Sequence, residues 1–220
     1  MSHSLAYYKK KKPTVFVYVL SNNFTNYLRQ VDKKEKGGSA IYLINCGIQC
    51  NNTVFDRCIS SGGGGGAIYI MNSFDITNNA TFEDVRFIQC KADFGGAIFI
   101  SISSELFNIS IIRCHFDSNE AVLMTKPRGE NKHLYGGSAV YLMCRNLNVV
   151  NSTFSLNKGP SGAIKIYNLF NDNSKSIKLD QSENLISLIV PFYMLIKMKE
   201  IILMSLIVTS KENLKKVHII

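Results

Sequence analysis

Between residues 37 and 166 the chain repeats one arrangement of apolar and polar positions five times. The copies are Gly37-Gly38-Ser39-Ala40-Ile41-Tyr42-Leu43, Gly65-Gly66-Ala67-Ile68-Tyr69-Ile70, Gly95-Gly96-Ala97-Ile98-Phe99-Ile100, Gly136-Gly137-Ser138-Ala139-Val140-Tyr141-Leu142 and Ser161-Gly162-Ala163-Ile164-Lys165-Ile166. Their alanines lie 27, 30, 42 and 24 residues apart. A second pattern alternates strictly with the first: Phe55-Asp56-Arg57-Cys58, Phe87-Ile88-Gln89-Cys90, Phe116-Asp117-Ser118-Asn119 and Phe154-Ser155-Leu156-Asn157. The tract after each glycine pair is alternating and rich in β-branched and aromatic residues, which predicts a strand. No stretch of this region carries an apolar helical period of useful length.

The first and third residues after each alanine are always aliphatic and share one face of the strand. Between them stand Tyr42, Tyr69, Phe99, Tyr141 and then Lys165. A lysine is rarely buried without a partner, so this face is predicted to point outward and to be exposed. The glycines before the strand supply backbone angles for a sharp corner, and the closing Asn of the second pattern reads as a left-handed turn residue. A lone strand with one apolar face cannot bury it, but like strands stacked in parallel about 4.8 Å apart can. Hairpin architectures would need like strands joined by turns of a few residues. The predicted fold is therefore all-β, a single-stranded parallel β-helix of about five coils with irregular ends.

This divides the chain into a basic segment at 1–36 with a capping strand near 14–20, a repeat domain at 37–170, and an atypical C-terminal segment at 171–220. The 42-residue period holds a polar insertion at 125–135, read as a surface loop grafted onto one coil. The apolar run 185–208 contains Pro191, Lys197, Lys199 and Glu200, and its longest uninterrupted piece has twelve residues, short of the ~20 a spanning helix needs. Three readings stay open for it: strands or a helix covering the open end of the stack, a membrane-associated segment, or the place where a longer protein is cut.

The paired motifs G-G-A-I and F-x-x-N resemble those of the polymorphic outer membrane protein repeat family, known from chlamydial surface autotransporters and protist surface proteins. The resemblance spans about 60% of the chain, and Cys58 and Cys90 stand where the motif has Asn. It implies a right-handed, pectin-lyase-like β-helix at the cell surface or outside the cell, with adhesion or contact with a host protein or glycan as its role.

Composition narrows the chemistry. The net charge is +9, but residues 1–36 carry eight basic and two acidic side chains while residues 37–170 carry ten and nine. A nucleic-acid-binding body should hold the positive charge itself, so no nucleic-acid partner is expected. Six cysteines without a C-x2-C pair and four scattered histidines give no metal-ligand spacing, and neither metal nor cofactor is expected. Lys9 to Lys12 precede an apolar stretch of only six residues, with no small-x-small cleavage site after it. Five N-glycosylation sequons begin at Asn23, Asn51, Asn79, Asn108 and Asn151; about three arise by chance, so their support for export is modest.

Parallel β-helices also serve as polysaccharide-cleaving enzymes, an alternative that needs clustered carboxylates. The acidic residues of the repeat domain are dispersed: Asp56, Asp75, Glu83, Asp84, Asp93, Glu105, Asp117, Glu120 and Glu130. Asp56 and Asp117 hold equivalent places, with Ile88 between them. No catalytic residues are assigned, and the reading is a non-enzymatic surface module or a fragment of a larger surface protein. Cys58 and Cys90 are predicted rung neighbours, close enough for a disulfide but read as buried free thiols. Tyr42, Tyr69, Phe99 and Tyr141 form the candidate ligand-binding stripe, since an exposed aromatic row suits protein or sugar contacts. The competing reading is that the same row only pairs across strands to hold the sheet, or is covered by the terminal segments.

Overall fold

The structure is a computed structural model that describes residues 6–9, 15–30, 37–72, 78–102, 104, 106–122, 136–144, 146–160, 162–167, 176–180 and 186–189. Each coil is a run of short strands separated by corners. The chain opens with β1 (Ala6–Lys9), β2 (Val15–Leu20), β3 (Asn23–Thr25) and β4 (Leu28–Gln30). The next coil holds β5 (Ile41–Ile44), β6 (Cys46–Asn51), β7 (Val54–Asp56) and β8 (Ile59–Gly64). Then come β9 (Ile68–Asn72), β10 (Asn78–Glu83), β11 (Arg86–Ile88) and β12 (Lys91–Phe94), followed by β13 (Ile98–Ile102), β14 (Phe107–Ile112), β15 (His115–Asp117) and β16 (Glu120–Ala121). The last described strands are β17 (Val140–Met143), β18 (Asn146–Val150), β19 (Thr153–Ser155), β20 (Ile164–Tyr167), β21 (Ser176–Asp180) and β22 (Ile186–Ile189).

Like strands stack into four sheets. Sheet I runs β1-β5-β9-β13-β17-β20-β22 and sheet II β2-β6-β10-β14-β18-β21; sheet III holds β3-β7-β11-β15-β19 and sheet IV β4-β8-β12-β16. Every pairing among them is parallel, the arrangement that the repeat predicts. The register matches the motif residue for residue: Ile41 faces Ile68, Ile98 faces Ile68 and Val140, and Val140 faces Ile164.

The stack begins earlier than the glycine motif does. Strands β1 to β4 pair with β5 to β8, so the boundary drawn at residue 37 falls inside a continuous solenoid. At the other end, Ile186–Ile189 of the apolar run pairs with β20 on sheet I; the rest of 185–208 lies outside the described residues, as does the insertion at 125–135.

The interior is built from columns of identical or near-identical side chains. On sheet I the aliphatic residues at both inward positions, Ile41 and Leu43 through Ile164 and Ile166, are buried. On sheet III the phenylalanines of the second motif form one stack, Phe24-Phe55-Phe87-Phe116-Phe154. Their ring centroids are 4.8, 5.0, 4.8 and 4.7 Å apart and their planes lie within 9° of parallel. Rung spacing favours this geometry, because rings that point the same way from consecutive rungs lie about as far apart as the backbones that carry them.

The corner before sheet I needs glycine for two separate reasons. Gly65 has φ +65°, and a Cβ there would collide with the Ile68 carbonyl. Its neighbour Gly66 has an ordinary φ, but a Cβ would run into the Gly96 carbonyl of the next coil. The corners flanking sheet III differ from the expectation. The left-handed residue is Arg57, Gln89, Ser118 or Leu156, at φ 51 to 55°, rather than the closing Asn of the motif. That Asn turns inward instead, as described below.

Truncating one ring removes contacts on both faces of the stack. The variant Phe87→Ala should lose about 3–5 kcal/mol of stability. Arg86→Ala, exposed one residue away, should change it by less than about 0.5 kcal/mol. Urea denaturation followed by far-ultraviolet circular dichroism checks both.

Candidate functional site

The candidate stripe is formed, but it is covered. Tyr42 pairs with Tyr69, Phe99 with Tyr69 and with Tyr141, and Tyr141 with Lys165, each in direct register on sheet I. Successive rings stack at 5.1, 4.8 and 5.4 Å with planes 8 to 22° apart. Their relative exposure is 5, 2, 6 and 1%, which corrects the expectation of an exposed row. The physical reason is a second apolar layer outside the tube. Phe94, at the end of β12, meets Phe99 edge-on at 5.1 Å and Tyr141 at 5.9 Å, and Ile44, Met71 and Met143 pack beside the rings. Gly64 makes room for Phe94, since a Cβ at Gly64 would collide with that ring. A small residue one coil below a phenylalanine is the sequence signal that could have revealed the cover.

Cations sit against the first and last of these four rings. The Arg29 guanidinium lies 5.1 Å from the centre of the Tyr42 ring and donates from Nη1 to the Gly37 and Gly38 carbonyls at 3.2 and 3.3 Å. The Lys165 ammonium lies 5.5 Å from the centre of the Tyr141 ring. Lys165 is 1% exposed, so the inference that a lysine fixes this face as solvated is also corrected. The ring face and the alkyl stem carry the burial, and the π cloud attracts the charge that water no longer solvates. Burial still dominates the titration of Lys165 and lowers its pKa from 10.5 to about 8. Burial likewise raises the Tyr69 phenol above its usual range.

The closing position of the second motif forms a polar column inside the tube. The Asn119 amide nitrogen donates to the Phe87 carbonyl at 3.0 Å and to Asn157 Oδ1 at 3.0 Å, while Asn157 donates to the Phe116 carbonyl at 2.9 Å. Each Oδ1 accepts a backbone N–H from the coil before: Cys90 to Asn119 and Asn119 to Asn157. Where the motif Asn is missing, a thiol takes the same role. Cys58 Sγ donates to the Phe24 carbonyl and Cys90 Sγ to the Phe55 carbonyl, both at 3.5 Å. All six cysteines are free and buried. Burial lifts the thiols of Cys50 and Cys114 to about 12 and holds Cys90 well above its ordinary value, so all three are neutral at neutral pH, and Cys90 and Cys114 donate to backbone carbonyls.

The described carboxylates are tied to partners spread over the coil, and only Glu83 and Asp84 share one. Asp56 bridges to Arg57 at 2.7 Å, and Glu120 to Lys91 at 2.8 Å. Arg113 engages Glu83 at 2.6 Å and Asp84 at 2.8 Å. The Asp84 carboxyl is held below its usual range by the Arg113 hydrogen bond. Asp117 accepts from the Ser155 hydroxyl at 2.6 Å, and Asp93, buried near Gly62, accepts that residue's N–H at 3.3 Å. Asp56 and Asp117 share one outward row of sheet III with Ile88 between them. Asp75, Glu105 and Glu130 lie outside the described residues. Among the described residues no three His, Cys, Asp or Glu side chains converge on a point where a metal ion could sit, and no helix is long and apolar enough to cross a membrane. Compared with known protein families, with curated proteins and with solved structures, the chain has no match.

The lowered Lys165 pKa sets a sign. Below about pH 8 the ammonium is charged in the folded and the unfolded chain, and the folded state bears its desolvation. Between about 8 and 10.5 the unfolded chain binds more protons, so this group's contribution to stability rises with pH through that window. Lys165→Met should therefore stabilise the fold most below pH 8, with the gain over the parent shrinking towards pH 10. Paired denaturation curves across that range check it.

Proposed function

We propose that the chain is a non-enzymatic, adhesin-like display module of a cell-surface or secreted protein, in which the β-helix holds variable side chains at fixed spacing for contact with a protein or glycan. The observation that carries this reading is the contrast between the two faces of sheet III. Its inward row is Phe24, Phe55, Phe87, Phe116 and Phe154, the same residue five times. The two outward rows in the same register are Asn23, Val54, Arg86, His115 and Thr153, and Thr25, Asp56, Ile88, Asp117 and Ser155. Packing fixes the interior, while the outward positions vary freely in size and charge without disturbing it.

The covered aromatic column contributes stiffness to this reading, and contact falls to the outward rows of sheet III. The resemblance of the G-G-A-I and F-x-x-N motifs to polymorphic outer membrane protein repeats supports the same role and is itself part of the proposal. An antibody against the purified chain tests it. Intact, unpermeabilised cells should be labelled, or the protein recovered from the medium. Labelling that appears only after permeabilisation contradicts the reading.

A further inference from the structure

The five sequons, scattered along the sequence, gather on one side of the coil. Asn79 and Asn108 are the second residues of β10 and β14 and face each other in register on sheet II. Asn51 ends β6 on the same sheet, Asn151 sits at the corner after β18 with φ 47°, and Asn23 is the first residue past the same corner. None falls on sheet I, whose outer face carries the aromatic column, or on sheet IV. Asn23, Asn79, Asn108 and Asn151 are exposed, whereas Asn51 is half-buried with its side-chain oxygen fully enclosed. At Asn23 the Thr25 hydroxyl of the same sequon donates to Oδ1 at 2.8 Å, leaving the amide nitrogen unengaged.

The surroundings suit a sugar chain as well. Between the two Asn acceptors and the corner runs a row of Gln49, Thr81, Ser110 and Asn148, in register, half-exposed and uncharged. Glycans leaving Asn79 and Asn108 meet these amides and hydroxyls first, while the ion pairs of Arg113 with Glu83 and Asp84 lie farther on, at the end of β10 and in the corner.

From this we infer that the outer face of sheet II and its following corner are the glycan-bearing side of the molecule, modified at Asn23, Asn79, Asn108 and Asn151 and bare at Asn51. In each transfer the acceptor Nδ2 loses one proton and forms a bond to C1 of the sugar. The C1–O bond to a polyprenyl-diphosphate-linked oligosaccharide breaks, and the diphosphate leaves with the electron pair. The modification would coat one side and keep the outward rows of sheet III, beyond Asn23, open for contact. The inference rests on the proposal that the chain is exported.

Native protein treated with peptide-N-glycosidase in heavy-oxygen water, then digested and weighed, reports each site as an Asn-to-Asp conversion carrying the label. Conversion at the four exposed acceptors and none at Asn51 is expected, and Asn108→Gln should remove one glycan's mass while Asn51→Gln removes none. Protein labelled on intact cells but unmodified at all five sites overturns this inference and leaves the display reading standing. Protein found only inside cells and unmodified overturns both. A glycan on Asn51 with Asn79 and Asn108 bare also overturns the inference.

Discussion

The structure depends on one constraint: every coil must present its backbone donors and acceptors at the same places as the coils above and below. Parallel stacking leaves no freedom here, because a corner that closes at a different height breaks the ladder on both sides. The chain satisfies this with repeated left-handed residues. One column is Ser21, Asn52, Asp84, Arg113 and Asn151, and another is Asn26, Arg57, Gln89, Ser118 and Leu156, all with φ between 47 and 60°. Their amides continue the ladder through the corner: Asn52 donates to the Glu83 carbonyl, Asp84 to Ile112, Arg57 to Ile88 and Gln89 to Asp117, at 2.9 to 3.1 Å. A left-handed residue other than glycine costs about 1–2 kcal/mol. The ladder bonds on either side offset that cost, which is how Arg57 and Gln89 come to occupy a conformation their side chains disfavour.

Given that constraint, side chains stack because their backbones do. The consequence is a molecule of nested columns: phenylalanine and aliphatic columns inside, an amide-and-thiol column at one corner, and an aromatic column outside sheet I. The polar column shows how narrow the requirement is. At Cys58, Cys90, Asn119 and Asn157 the side chain must donate to the carbonyl of the phenylalanine one coil earlier. A thiol can do that as a weak donor, but its sulfur is a poorer acceptor than the Oδ1 that Asn119 offers to the Cys90 amide. The substitution keeps the column continuous at the price of a weaker bond.

The fold was legible because its signal is written five times in strand residues whose inward positions are always aliphatic. The site was legible only in part. Tyr42, Tyr69, Phe99 and Tyr141 could be placed on one outward row by counting from the alanines, yet nothing in that count says whether the row is wet. Part of the cover is Phe94 and Arg29, which belong to neighbouring elements and occur once each, so repetition cannot reveal them. The left-handed corners were misassigned by one residue for the same reason. Local preference favours Asn, but the closing Asn is needed inside the tube, and tertiary hydrogen bonding sets the angles of the residue before it. Of the opening coil only β2 was expected, as the capping strand near 14–20; β1, β3 and β4 lack the glycine corner, and the second motif appears there as Phe24 with Tyr27 where Asn or Cys stands elsewhere.

The functional proposals share that foundation. A scaffold whose interior is fixed by repetition leaves its outward rows free to differ, and both proposals assign their contacts to those rows, on sheet II with its following corner and on sheet III. All of this requires that equivalent residues lie on adjacent rungs. The most direct test places nitroxide spin labels at Thr81 and Ser110, outward residues that pair across β10 and β14. The stacked coil predicts backbones about 5 Å apart and strong dipolar broadening of the spectrum, which weakens when the second label is moved one coil farther to Asn148. A Thr81–Ser110 pair without broadening, or one no broader than Thr81–Asn148, would contradict the account.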